Sequence, residues 1–232
     1  MRIYMDAPEA IEEIKRDLAE MGIRVKPSTM QNKDIKGNKD YETMELQNYA
    51  YTILDAKAKE VPGVSQIWAD IEFVERVSPV DPLTLDYINP GEAWKHRPEV
   101  WTEYLNGEGK FCYSYNERMA DQIDKVINQL KVDPDSRQIW MSIWNPVIDL
   151  NDIGGKKRVP CSLGYGFQVR EGKLNIHYIM RSCDFATHMN NDIYLAMKLL
   201  EYIAHHAGYS VGNFTHTIFS LHVYQKDIEG VF

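Results

Sequence analysis

Hydrophobic and polar positions fall into two regimes along the chain, helical spacing up to about residue 130 and mostly alternation after it, broken by one helical stretch past Asp192. Residues 9–22 place Ile11, Ile14, Leu18 and Met21 at intervals of three and four before Gly22, which predicts an amphipathic helix with a glycine stop. From about 41 to 58 the same spacing recurs through Leu46, Tyr49, Ile53 and Leu54 and predicts a second helix. A Pro-rich stretch, VSPVDPLTLDYINPGE over 77–92, predicts a long irregular connection. Another helix follows, with Met119, Ile123, Val126, Ile127 and Leu130 on one face, and it stops at VDPDSR, where Pro134 pushes the preceding residue out of helix.

Beyond that point alternate residues are apolar. RQIWMSIW puts Ile139, Met141 and Ile143 on one side of a strand, and LGYGFQV does the same with Leu163, Tyr165, Phe167 and Val169. The turn REGK leads into LNIHYIMRS, where Leu174, Ile176, Tyr178 and Met180 alternate. A helix after Asp192 carries Ile193, Ala196, Met197, Leu200, Ile203 and Ala204 and ends near Gly208, and NFTHTIFSLHVY supplies a last strand. The pattern predicts an α+β chain with a largely β C-terminal half, read as one domain over 1–232.

Composition narrows the partners. With 44% hydrophobic and 11% aromatic residues the chain can bury a sizeable core. Its net charge of -8 disfavours a general nucleic-acid surface. No apolar run approaches the roughly 18–20 residues that span a bilayer. The start lacks a signal peptide's apolar core, so the expectation is a cytoplasmic protein without membrane partners. Cys112, Cys161 and Cys183 are odd in number and lack CxxC spacing, which argues against a disulfide framework or a zinc site. No metal is expected.

Two stretches carry candidate chemistry. In VPCSLGYGF, Pro160 precedes a cysteine that enters a strand directly, so Cys161 stands at a strand edge. A thiolate there can attack an electrophilic carbon when a cation such as Arg181 stabilises it. In MRSCDFATHMNND, the carboxylates Asp184 and Asp192 flank the entry to a helix. Asp192 as a simple helix-start acid is stabilised by about 0.3–1 kcal/mol.

The ordered set DPDSR, WNP, PCS, MRSxD, ND and LHVY resembles the signatures of the thymidylate synthase family over roughly residues 115–227. That resemblance implies a mixed β-sheet flanked by helices, with one sheet face used for homodimerisation. It implies a one-carbon transfer from 5,10-methylenetetrahydrofolate to a pyrimidine nucleotide. Cys161 would add to C6 of the base. Arg181 would touch both the thiolate and the 5'-phosphate, and Ser182 would add a phosphate hydrogen bond. Arg137, from the PDSR turn, would reach the partner's phosphate. His222 and Tyr224 would hold the sugar hydroxyl, while Asp184 would meet the folate pterin. DYETMELQNY resembles the family's helix that carries a catalytic glutamate before leucine, which makes Glu45 the proton relay. If that helix desolvates it, Glu45 has a raised pKa.

Eight residues beyond the Asp of RSxD the family's synthases carry an Asn that reads uracil; here that count reaches Asp192. A carboxylate accepts from cytosine N4 and supports a proton on N3. Asn-to-Asp at this position resembles the phage deoxycytidylate hydroxymethylases, which implies 5-hydroxymethyl-dCMP as product and a phage-infected cell as setting. Asn191, read with a one-residue shift, implies a dUMP hydroxymethylase instead. Reductive methylation of dUMP and a non-catalytic nucleotide- or RNA-binding relative are the remaining alternatives. The chain departs from the family at Gln138, Ser162, Gly166 and THMNND, which puts His188 where a Gly lets folate approach. Its ending soon after HVYQKD implies a shorter folate-closing tail and easier entry of water.

Overall fold

The computed structural model describes residues 2–80, 83–84 and 86–232. The chain opens with β1 (Arg2–Tyr4), α1 (Ala7–Met21) and β2 (Ile23–Val25), then a small hairpin of β3 (Thr29–Met30) and β4 (Lys33–Asp34). Helix α1 forms over the expected span, although Met21, in its last turn, is exposed. Asp6 caps it by accepting from the Glu9 amide, and Ala10, Ile11, Ile14 and Leu18 are buried.

The helix expected over 41–58 does not exist. Residues Thr43–Ile53 form a long strand, β5. The cause is a break in alternation: Asn48 adopts φ 52°, so the buried face runs through Leu46 before it and Tyr49, Tyr51 and Ile53 after it. One kink thus converts a period of two into an apparent spacing of three. Threonines, tyrosines and isoleucine in this run favour strand.

Helix α2 (Gln66–Val77) went unrecognised in the sequence, and Arg76 on its buried face with Trp68, Ala69 and Phe73 is the reason. Of the connection expected over 77–92, residues 81, 82 and 85 lie outside the described residues; 86–92 carry neither helix nor strand. After a one-turn helix, α3 (Pro98–Trp101), the expected helix appears as α4 (Tyr115–Val132), started by a capping box between Ser114 and Glu117. β6 (Trp140–Ser142), a one-turn α5 (Pro146–Asp149), β7 (Ser162–Arg170), β8 (Lys173–Asp184), α6 (Met189–Ala207), β9 (Ser210–Tyr224) and a final turn, α7 (Ile228–Val231), complete the chain.

Six strands run in the order β1-β5-β9-β8-β7-β6, with β2 added alongside β5. β1–β5 and β8–β9 are parallel pairs and the rest are antiparallel, so the sheet is mixed. Helix α6 makes the crossover between β8 and β9, as parallel pairing requires. Its Ile193, Ala196, Met197, Leu200 and Ile203 are fully buried, each large side chain contributing about 1.5–3 kcal/mol. Beneath the site Tyr165, Tyr178 and His216 stack at ring separations of 4.5 and 4.8 Å. In β7 the alternation is interrupted by a bulge between Ser162 and Gly164, so Leu163 leaves the core while Tyr165, Phe167 and Val169 keep it.

Candidate active site

A cavity of about 450 Å³ opens over one face of the sheet, beside the ends of β5, β8 and β9. The strand ladders align its polar wall: Glu45 pairs in register with His222, and Asp184 with His222 from the other side. Ser182 and Asp184, two apart on β8, therefore share a face with Ser220, His222 and Tyr224 on β9. Cys161, Arg181, Ser182, Asp184, His188, Asp192, His222, Tyr224 and Glu45 all line this one cavity. Arg137 does not; it is exposed in the turn between α4 and β6.

Cys161 lies immediately before β7, and the Arg181 amide donates to its carbonyl at 2.9 Å, extending the β7–β8 ladder. That pairing sets the Arg181 side chain beside the sulfur. Its Nη2 lies 3.8 Å from Cys161 Sγ, while Nε and Nη2 donate to the carbonyls of Pro160 and Val159 at 2.8 and 3.1 Å. The guanidinium is thus anchored by backbone and aimed at the sulfur.

Asp192 is not the start of its helix. α6 begins at Met189 with His188 as the capping residue, and the Asp192 amide already donates to the His188 carbonyl at 2.9 Å. It lines the cavity, where desolvation pushes its pKa up to about 7 even though Arg76 pulls it down. Cys183 is not idle beside it: its buried Sγ donates to Asp192 Oδ2 at 3.7 Å, and burial followed by the Asp192 charge pushes the thiol well up. Asn191 points elsewhere. Its Oδ1 accepts from the Ser65 amide at 2.9 Å, and it does not line the cavity.

Glu45 stands on strand β5, not on a helix, and its Oε2 accepts from Ser220 Oγ at 2.5 Å. The helix-borne glutamates at the cavity belong to α2 and α3. Of those on α2, Glu75 accepts from the Glu92 and Ala93 amides. Glu72 pairs with buried Arg76 at 2.7 Å, and Arg76 lies 3.7 Å from the Tyr115 ring centroid. From Tyr115 a hydroxyl chain leads to Ser162 Oγ at 2.9 Å and on to Tyr178. Arg158, three residues before Cys161, lies over the rings of Trp101, Tyr113 and Tyr104 at 4.6, 4.8 and 5.4 Å.

The imidazoles are held neutral. Burial, then the Arg97 and Arg158 charges, lowers the His188 pKa to about 3. Burial also lowers His222, whose Nδ1 lies 3.3 Å from the Ser220 carbonyl. Sequence reasoning missed Glu72, Arg76, Tyr113, Tyr115 and Arg158. Only Arg158 had a local signal, a cation adjoining the PCS stretch.

Among the described residues no cluster of His, Cys, Asp and Glu could hold a metal, and no helix is long and apolar enough to cross a membrane. Residues 63–232 match the family described as thymidylate synthase. A putative thymidylate synthase of Methanosarcina barkeri is 30% identical over 192 residues, covering 78% of this chain and 82% of that protein. Its counterpart in Methanosarcina acetivorans is 31% identical with the same coverage. The structure of thermostable thymidylate synthase A from Bacillus subtilis superposes with a TM-score of 0.72 at 20% identity, covering 95% of this chain and 80% of that one. The fold is thus thymidylate synthase-like, and the chain belongs to the thymidylate synthase family of one-carbon transferases.

Proposed function

We propose that this protein is a deoxycytidylate 5-hydroxymethyltransferase. The observation that carries the reading is Asp192: a half-buried carboxyl, eight residues past Asp184, in the wall of the cavity that Cys161 also lines. A carboxyl that titrates near neutrality can donate to or accept from cytosine N3 and accept from the N4 amino group. Uracil presents N3–H and a carbonyl, which an ionised carboxylate meets with repulsion at O4. Asn191, the competing reader, is occupied by the Ser65 amide.

In the proposed reaction Cys161 attacks C6 of dCMP while Asp192 supports the proton on N3, which makes C6 more electrophilic. The electron pair that reaches C5 takes up the methylene carbon supplied by methylenetetrahydrofolate. Loss of the C5 proton and of tetrahydrofolate leaves an exocyclic methylene. Hydroxide from water adds to it, and expulsion of the Cys161 thiolate restores the ring as 5-hydroxymethyl-dCMP. Arg181 and Ser182 hold the phosphate, His222 and Tyr224 the sugar. Arg137, exposed and outside its own cavity, serves the phosphate of the partner in a homodimer formed through the sheet face.

The folate half fits an acceptor-rich flat ring. Trp94 and Trp101 line it and keep buried indole N–H groups without a partner among the described residues. His188, neutral and 5.9 Å from Trp101 between ring centroids, extends that wall, and Asp184 faces the pterin. Two carboxylates are proposed for proton relay. Glu72 comes first because it is borne on a helix and touches the Arg76–Tyr115–Ser162 chain; Glu45, bonded to Ser220, is the second.

D192N tests the base assignment. Competing dCMP and dUMP for the unaltered protein should favour dCMP, and the substitution should move the kcat/KM ratio toward dUMP by about tenfold to a hundredfold, the effect of one or two mismatched hydrogen bonds. An unchanged ratio would leave Asp192 a helix residue with no part in base choice.

A further inference from the structure

The hairpin of β3 and β4 lies N-terminal to the family-matched residues 63–232, yet it reaches the nucleophile. At its tip Gln31 turns its amide into the cavity: Nε2 lies 3.8 Å from Cys161 Sγ, and Oε1 accepts from the Val159 amide at 3.3 Å. Gln31 and Arg181 are the two side chains that donate to this sulfur among the described residues. The backbone marks the same residue. Gln31 has φ 53°, a conformation that favours glycine and that a side-chain-bearing residue adopts at a cost. Two contacts fasten the hairpin: an ion pair between Lys33 and Glu103, and close approach of Thr29 to Gly155.

We propose that Gln31 is a positioning residue for the nucleophile, its amide fixing the Cys161 sulfur between itself and Arg181 while tying the hairpin to the segment that carries Cys161. The inference rests on Cys161 being the nucleophile. An amide N–H suits the task because it stabilises a negative sulfur and still yields to substrate. The forked amide spans two partners, the sulfur and the Val159 backbone, so the same side chain sets distance and direction. A glycine would relax the turn but lose both bonds.

The test is peptide-mapped alkylation of Cys161 with iodoacetamide across the neutral and alkaline range, in the full-length protein and in Q31A, Q31G and Q31E. The charged and phenolic groups around the sulfur, Arg158, Arg181, Tyr104, Tyr113, Tyr115 and Tyr224, stay the same in every variant. Losing the amide should raise the titration midpoint by about half a unit in Q31A and Q31G, roughly threefold less thiolate at neutral pH. The carboxylate of Q31E should raise it further, to roughly tenfold less. Q31G separates side chain from backbone, since it removes the strain with the amide. Midpoints in Q31A and Q31E equal to that of the unaltered protein would overturn the inference while leaving Cys161 as nucleophile. Full turnover by C161A would instead sink the nucleophile assignment, and this inference with it.

Discussion

Replacing Asp192 with Asn should make the folded protein more stable at neutral pH, and the gain should grow with pH. In the unfolded chain an aspartate titrates near 3.8, whereas burial holds Asp192 near 7 in the fold. The native state therefore keeps a proton that the unfolded state has released, and stability falls as pH rises through that window. The gap between the two values corresponds to about 4 kcal/mol once both states are ionised. Between pH 5 and pH 8 the difference grows by about 2–3 kcal/mol, nearly all of it below pH 7, above which it levels off. Urea unfolding of both proteins at several pH values reads it directly. Histidines that titrate over the same range are common to both, so the difference between the two curves isolates Asp192. The two curves should diverge upward in pH. Parallel curves would mean that Asp192 is ionised and solvated like a surface acid, and the proton on cytosine N3 would lose its support.

Further predictions concern the neighbouring groups. C161A should lose turnover by at least about a thousandfold, because the covalent step has no substitute, while equilibrium dialysis still finds nucleotide bound. E72Q should lower kcat about 10²–10⁴-fold if Glu72 relays protons, and E45Q should fall less; the reverse order in steady-state rates would return the role to Glu45. H188Q should flatten the acid side of the stability curve. His188 stays neutral down to about pH 3 in the fold, so native stability drops as pH falls below the ordinary histidine value, by as much as about 3 kcal/mol at pH 4. A curve for H188Q that still tracks the unaltered protein below pH 6 would contradict that.

Much of the C-terminal half was legible because its strands alternate over most of their length and its helix carries a full apolar stripe. Leu174 to Met180 alternate from core to surface as written, and the helix ends at Gly208 with φ 85°. Two departures were small backbone events with large effects on pattern: the Asn48 kink turned β5 into an apparent helix, and the Ser162/Gly164 bulge moved Leu163 off the core face. The cavity residues legible in the sequence sit in short motifs whose members the ladders bring together, such as Arg181 opposite Cys161. Glu72, Arg76 and Tyr115 were invisible for a different reason. Arg76 and Tyr115 meet partners contributed from elsewhere in the chain, Glu72 is tied to them only through Arg76 one turn along its own helix, and a buried arginine on a helix stripe reads as a break in the stripe. Gln31 lies 130 residues from the sulfur that it touches, beyond the reach of any local pattern.

Product identity tests the central claim most directly. The protein is incubated with methylenetetrahydrofolate and either dCMP or dUMP, and nucleotide and folate products are identified by mass. A hydroxymethyl group on dCMP, released with tetrahydrofolate, and little product from dUMP are predicted. A methyl group on dUMP accompanied by dihydrofolate would contradict the account.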